Sequence, residues 1–270
     1  RLASRRLVVE RNLRRVHGPD LDGPRLAALV DATFASYAHY WIESFRLPGT
    51  SVADIDARMT AIGMAHIEAA MDAGRGCILA LPHLGAWEWA AFWLAKVKGY
   101  PVTAVVEQIE PPELAAWFVG LRRQFGIEVV PFGPSAAAAC AKALKAGHVL
   151  ALLCDRDLAG TGIAVDFFGE PTTLPGGPAT LALRTGAPLI PAAVTFDIDG
   201  GHLGVALPPL DTERRGALRA DVARVTQDLA HALEVLIRRA PDQWHLLQPN
   251  WPSDHAALAA AGLAPAAPTS

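Results

Sequence analysis

The residues best suited to chemistry lie between Cys77 and Lys98, CILALPHLGAWEWAAFWLAKVK, where His83 is followed five residues later by Glu88. Five helical steps turn through about 500°, roughly 140° around the axis, so the two side chains could not share a helix face. His83 is therefore expected before the helix and Glu88 in its first turns, with the carboxylate reaching back to the ring. Such a pair is a base and its orienter. The carboxylate fixes the imidazole tautomer and stabilises the imidazolium formed when the other nitrogen takes a proton. The N-terminus of the helix disfavours a charged imidazole, and its N–H groups could receive a developing oxyanion. The chemistry on offer is deprotonation of a substrate hydroxyl. The same two residues also fit a buried histidine held by a structural carboxylate.

Holding such a pair takes a strand, a sharp loop and a helix. Cys77 to Leu81 reads as a buried strand, Pro82 ends it, and Gly85 lets the chain turn into an apolar, aromatic-rich helix. The alternation then continues. Val102 to Glu107 reads as a strand, Pro112 to Phe125 as a helix and Ile127 to Phe132 as a strand. Ser135 to Ala146 reads as an Ala-rich helix and Val149 to Cys154 as another strand. Strands separated by helices of this length predict crossover units, hence an α/β fold with a largely parallel central sheet flanked by helices.

Open sheets of this kind bind ligands beyond the carboxyl ends of their strands. The remaining polar candidates fall there: Glu107 closes one strand, Asp155, Arg156 and Asp157 follow another, and Arg122 lies on an intervening helix. Each alone fits an ordinary surface charge; together they suggest a polar cleft. Asp155 and Asp157 with His83 make a poor metal set, because an Arg intervenes and no second His is well placed, so no metal is expected.

On the far side, Phe167 and Phe168 offer an apolar wall, Gly169 to Pro171 a turn, and Thr172 to Gly177 a flexible stretch before a short helix. A strand is expected within Thr185 to Val194, another over His202 to Leu207, and a long amphipathic helix over Ala217 to Arg239. The Gly176-Gly177 pair could approach a phosphate, but there is no P-loop, no G-x-G-x-x-G after a strand and no G-x-S-x-G nucleophile turn. PDQWHLLQPNWP is an aromatic closing segment, and the Ala- and Pro-rich stretch 253–270 is expected to be disordered.

Before the central strand, Pro24 to Leu47 reads as a helix with Phe34, Tyr37, Tyr40, Trp41 and Phe45 on an aromatic face, either core or the border of a lipid-chain groove. A second helix is expected over Val52 to Ala73. The opening RLASRRLVVERNLRRV carries six arginines against one glutamate, with Leu2, Val9, Leu13 and Val16 as an apolar stripe. That amphipathic helix suits either an anionic membrane surface or packing on the domain. The chain begins without Met, which leaves room upstream for a further segment such as a hydrophobic anchor.

Composition bounds these readings. With 270 residues, 51% of them hydrophobic, the chain can bury a large core, and a single domain over 1–252 with an N-terminal helical extension is expected. A net charge of −3 argues against a general nucleic-acid binder. Cys77, Cys140 and Cys154 sit in apolar or Ala-rich runs without metal-ligand spacing, as reduced core cysteines on the cytosolic side would. No apolar run reaches the length of a membrane span.

His83-Leu84-Gly85-Ala86-Trp87-Glu88 resembles the H-x4-D/E motif of the glycerolipid and lipid A acyltransferases. Further blocks in the same order strengthen the resemblance: Glu107, Arg122, Asp155-Arg156-Asp157-Leu158, Phe167 to Pro171, Gly176-Gly177, Thr185-Gly186-Ala187 with Pro191, and Gln243-Trp244. They are most similar to the actinobacterial phosphatidylinositol mannoside acyltransferases, except that Glu88 stands where Asp is usual and Asp155 where Glu is expected. The resemblance implies a glycerolipid-acyltransferase-like fold, a peripheral position on the cytoplasmic face of the membrane, and acyl-CoA as co-substrate with no other cofactor. It implies transfer of an acyl group to a sugar hydroxyl of a membrane glycolipid. His83 would be the general base and Glu88 its holder, while Glu107, Arg122, Asp155, Arg156 and Asp157 would bind substrate. The oxyanion would meet N–H groups near Gly85 or a nearby cation. Late acylation of lipid A, hydrolysis of an acyl ester and lipid binding without turnover are the alternatives.

Overall fold

The computed structural model describes residues 2–107, 110–197 and 199–264. Helices α1 (Leu2–His17) and α2 (Gly23–Arg46) precede α3 (Val52–Ala57), β1 (Met59–Ile62) and α4 (Met64–Asp72). The expected alternation follows: β2 (Cys77–Leu81), α5 (Trp87–Lys96), β3 (Val102–Val106), α6 (Pro112–Gln124), β4 (Ile127–Pro131), α7 (Ala136–Lys145) and β5 (Val149–Leu153). The chain then runs through β6 (Ile163–Phe167), β7 (Glu170–Leu174), α8 (Gly177–Thr185), β8 (Leu189–Phe196), β9 (His202–Ala206), α9 (Leu218–Ile237) and α10 (Pro252–Ala260).

Seven strands form one sheet in the order β1-β9-β8-β2-β5-β3-β4, every pair parallel except β8 with β9. β2 lies in the middle and all five of its residues are buried. Because successive side chains on a strand point to opposite faces, β2 feeds two cores. Ile78 and Ala80 join Cys140, Leu181 and Leu229 under α7, α8 and α9. Cys77, Leu79 and Leu81 join Phe92 of α5 and Phe118 of α6 on the other face. The α/β architecture with its N-terminal helices is as the periodicity predicts. All three cysteines are buried and unbridged.

Three local expectations are overturned. The helix expected over Val52 to Ala73 is broken into α3, β1 and α4, with Gly63 at φ +79 capping α4. β1 is an edge strand of four residues that pairs with β9 from Met59↔His202 to Ile62↔Val205, a partner more than 140 residues away that local periodicity cannot register. Thr172 to Gly177 is not a flexible stretch throughout: β6 and β7 form an antiparallel hairpin. Its turn is made by Phe168 (φ 56) and Gly169 (φ 72), the left-handed pair a two-residue hairpin loop requires. Phe168 is unusual there, and its N–H is held by Glu234 Oε1 at 2.6 Å.

The third correction is the tail. α10 occupies part of the stretch expected to be disordered, with Asp254 and Leu258 buried. The Asp254 carboxylate accepts from Arg11 Nε at 2.6 Å and Arg15 Nη2 at 2.7 Å, which ties α10 to α1. Residues 265–270 of the expected disordered tail, and Arg1 of the opening run, lie outside the described residues. α1 packs on the domain: Val9 and Leu13 are buried, and Asn12 Nδ2 donates to Leu246 O. Most of its apolar stripe is therefore unavailable to lipid, although Leu2 stays exposed. No helix among the described residues is long and apolar enough to cross a membrane.

Candidate active site

His83 sits in the loop between β2 and α5, as its spacing predicts. Gly85 makes the turn at φ +58, with the backbone packed so closely that a Cβ there would lie 2.3 Å from Val194 O. The N–H groups of Gly85 and Ala86 donate to Gln243 O (3.0 Å) and Val194 O (2.9 Å). They are thus engaged and do not form the oxyanion site expected near Gly85.

The partner of His83 is Asp155. The ring Nδ1 lies 2.6 Å from Asp155 Oδ1, and the His83 backbone N–H donates to Oδ2 at 3.0 Å. Trp244 Nε1 donates to the same Oδ2 at 2.8 Å. The sheet explains the meeting: β2 and β5 are parallel neighbours with Leu81 opposite Leu153, so His83 and Asp155 each stand two residues beyond a matched pair. Asp155 is fully buried. Burial pushes its carboxyl up, but the adjacent imidazole and the hydrogen bonds from His83 and Trp244 outweigh that and hold it below the usual carboxylate range. An ionised carboxylate only accepts, so Nδ1 carries the proton and Nε2 keeps its lone pair.

Glu88 is also buried, in the first turn of α5, but its carboxylate is bonded to Arg122 rather than to His83. Its carboxylate takes both Nε and Nη2 of Arg122 on α6, with Nε at 3.2 Å. The expectation that Glu88 orients His83 is corrected accordingly. From the first turn of α5 the carboxylate meets the guanidinium of Arg122 on α6, a charged partner that the local spacing did not reveal. Burial alone would lower the Arg122 pKa; contact with Glu88 more than offsets it, and the guanidinium stays charged.

His83, Arg122, Glu107 and Arg156 line one cavity of about 900 Å³. Arg156 Nη2 donates to both carboxylate oxygens of Glu107 at 2.7 Å, and its Nη1 reaches Gln248. The polar groups gather over the carboxyl ends of β2, β5 and β3. The remainder is largely apolar, with Ala137, Cys140 and Ala141 of α7 facing the same space as Leu181 of α8, Ile163 and Val222. Tyr40 and Trp87, stacked at 4.1 Å, close the cavity beside His83. The aromatic face of α2 thus contributes to the cavity wall as well as to the core.

Asp157 lines the cavity too, but its carboxylate is filled by protein donors. Asp155 and Asp157 therefore serve different partners and do not make a joint metal site. Trp244 joins the site through its bond to Asp155, a place for which the sequence predicts no role. Its signal was the aromatic closing segment, whose return to the β2 loop is made by the pairing of Leu84 with Trp244.

A histidine oriented by a buried carboxylate, in the wall of a largely apolar cavity over a parallel sheet, fits an α/β enzyme acting on a molecule with an apolar part. The comparisons narrow this. Residues 1–253 match the bacterial lipid A biosynthesis acyltransferases, and the chain belongs to that family. It is 41% identical over 250 residues to the phosphatidylinositol mannoside acyltransferase of Mycolicibacterium smegmatis, covering 91% of this chain and 79% of that protein. It is 39% identical over 232 residues to the protein of the same name from Mycobacterium tuberculosis, covering 84% and 71%. The chain is an O-acyltransferase.

Proposed function

We propose that this enzyme transfers a fatty acyl group from acyl-CoA to a sugar hydroxyl of a phosphatidylinositol mannoside. The observation that carries the reading is the His83–Asp155 contact in the wall of a largely apolar cavity. Nε2 of His83 takes the proton of the acceptor hydroxyl as its oxygen attacks the thioester carbonyl. Asp155 holds the ring and stabilises the imidazolium. The tetrahedral intermediate collapses with loss of the CoA thiolate, which takes the proton back from His83. Arg122 is the cation placed to meet developing negative charge, and Glu88 fixes it. Glu107 and Arg156 shape the polar end for the sugar. Direct transfer needs no acyl-enzyme.

The acceptor would be reached at the cytoplasmic face of the membrane by a peripherally bound protein. Phe132 and Leu158, exposed at the cavity, give it an apolar rim suited to the headgroup region. Arg11 and Arg15 of α1 are committed to Asp254, but Arg14, whose Nε meets a backbone carbonyl rather than a carboxylate, would add attraction to anionic lipid. Stronger binding to anionic than to neutral vesicles, weakened by salt, is the expected result; equal binding to both at all salt concentrations contradicts it.

The test is a transfer assay with radiolabelled palmitoyl-CoA and separate acceptors: phosphatidylinositol mannosides, a lipid A precursor and lysophosphatidate. Label in the mannoside with wild type and none with His83→Ala supports the reading. Label only in the lipid A precursor would move the substrate to the other branch of the family. Label released only as free fatty acid would make the protein a hydrolase.

A further inference from the structure

The segment from Asp157 to Gly162 links β5 to β6, and its carboxylate is fully committed. Oδ1 accepts the N–H groups of Ala159 (3.2 Å) and Gly160 (3.0 Å), and Oδ2 accepts that of Gly162 (2.7 Å) and the hydroxyl of Thr173 on β7 (2.8 Å). Two carboxylate oxygens offer about four acceptor positions, so nothing is left over for a substrate hydroxyl. The loop that this carboxylate gathers is itself wall: Leu158, Ala159, Thr161 and Gly162 all line the cavity. Gly162 is drawn in so tightly that a Cβ would lie 2.6 Å from Leu174 O and 2.7 Å from Asp157 Oδ2.

The 158–162 loop runs into Ile163, which packs against Gly176 with Val222 beside it, so this wall joins apolar residues of the lining at the apolar end. Tyr40 and His83 meet across Trp87, and Arg156 holds Glu107, in the polar part of the same cavity. The backbone N–H of Asp157 is anchored by Asn250 Oδ1, whose Nδ2 holds the carbonyl of Asp155. Three consecutive residues thus divide the work: Asp155 orients the base, Arg156 braces Glu107, and Asp157 fixes the far rim.

We infer that Asp157 is a positioning residue for the acyl donor: it acts through the 158–162 loop to shape the apolar end of the cavity, and it touches neither the acceptor nor the reacting atoms. The inference rests on the reading of that end as the acyl-donor site. An Asn side chain presents one oxygen and one NH₂ group, so in either orientation at least one set of backbone N–H groups faces a donor and the loop loosens. The donor should then bind more weakly while the His83–Asp155 chemistry proceeds at its normal rate.

The experiment compares wild type, Asp157→Asn, Gly162→Ala and Thr173→Val. Palmitoyl-CoA binding is measured by titration calorimetry without acceptor, and transfer to phosphatidylinositol mannoside by steady-state kinetics. Asp157→Asn and Gly162→Ala should weaken palmitoyl-CoA binding and raise its KM at least fivefold, with kcat and acceptor KM within twofold of wild type. Thr173→Val, which removes one of four bonds, should shift them in the same direction by less and tests the latch if the other two fail to fold. A fall in kcat with donor affinity unchanged would make Asp157 a general stability residue and overturn the inference, as would wild-type behaviour in all three variants. Wild type that binds palmitoyl-CoA but transfers it to no acceptor would overturn the proposed function alone. Wild type that does not bind it would overturn both.

Discussion

Asp155 Oδ1 lies 2.6 Å from Nδ1 of His83, seventy-two residues away in the chain, while Glu88 turns to Arg122. The two carboxylates near the base therefore have separate duties. Replacing Asp155 with Asn keeps its shape but gives Nδ1 an amide in place of a charge, so the imidazolium formed during transfer is no longer stabilised. General-base assistance is typically worth roughly 10²- to 10⁴-fold, and kcat of Asp155→Asn should fall by at least about 100-fold with the far-UV circular dichroism unchanged. A kcat within a few-fold of wild type would make Asp155 structural and leave His83 without its orienter.

Glu88 should behave differently. Its side chain and that of Arg122 are 4% and 16% exposed, so Glu88→Gln leaves a nearly buried guanidinium without its counter-charge. Breaking such a pair from one side costs about 3–5 kcal/mol, whereas removing both charges restores much of the loss. Urea unfolding should show Glu88→Gln strongly destabilised and Glu88→Gln/Arg122→Met closer to wild type. The double variant should remain slow in transfer, because it removes a cation from the wall of the cavity that His83 lines. Additive losses in the double variant would show that the two residues do not act as a pair.

The difference between these two carboxylates marks what the sequence could and could not reveal. His83 in a loop after a buried strand was legible because Cys77 to Leu81 is uniformly apolar and Pro82 and Gly85 punctuate its end. The presence of Asp155 at another strand end was legible for the same reason. Their meeting was not, since it depends on β2 and β5 being neighbours, and strand order is set by how the whole sheet packs. Local spacing made Glu88 the nearer candidate, and α6 then supplied it with a better partner. β1 and the β6–β7 hairpin were hidden similarly, one by a distant edge partner and the other by a turn with Phe168 where Asn or Gly would have announced it. α10 was hidden by composition: its Ala-rich sequence becomes ordered through one carboxylate, Asp254, buried against α1.

Acid sensitivity should come from His245. It is buried among Tyr37, Tyr40 and Trp87, its Nε2 meets Ser36 Oγ at 2.9 Å, and its Nδ1 has no partner among the described residues. Burial, with the nearby charge of His83 adding to it, pushes its pKa down to about 3. A folded-state pKa below that of the unfolded chain means that stability is full above about pH 6.5 and is lost as pH falls towards 3. The slope should approach about 1.4 kcal/mol per pH unit in that window. Asp155 acts in the same direction but only below its ordinary carboxylate range, so between pH 6.5 and 4.5 His245 dominates. Thermal unfolding of wild type and His245→Phe across that interval should give a steeper fall for wild type; parallel curves would show that some other group titrates.

The salt bridge between α1 and α10 yields the last expectation. Asp254 is wholly buried and accepts from Arg11, Arg15, and the backbone N–H groups of Asn250 and Trp251. Arg15 also reaches Glu170 at 2.8 Å and lies 3.9 Å over the Trp251 ring, so this one guanidinium joins α1, the β6–β7 hairpin and the closing segment that carries Trp244. Asp254→Ala leaves Arg15, only 7% exposed, with a weaker set of acceptors. The loss should be about 3–5 kcal/mol, concentrated at α1. Limited trypsin digestion should then cut at Arg11 and Arg15 at least tenfold faster than in wild type. Because Trp244 holds Asp155, loosening this end should also slow transfer, less severely than Asp155→Asn does. Unchanged trypsin resistance would show that α1 is held by its apolar stripe alone, with Val9 and Leu13 sufficient to keep it on the domain.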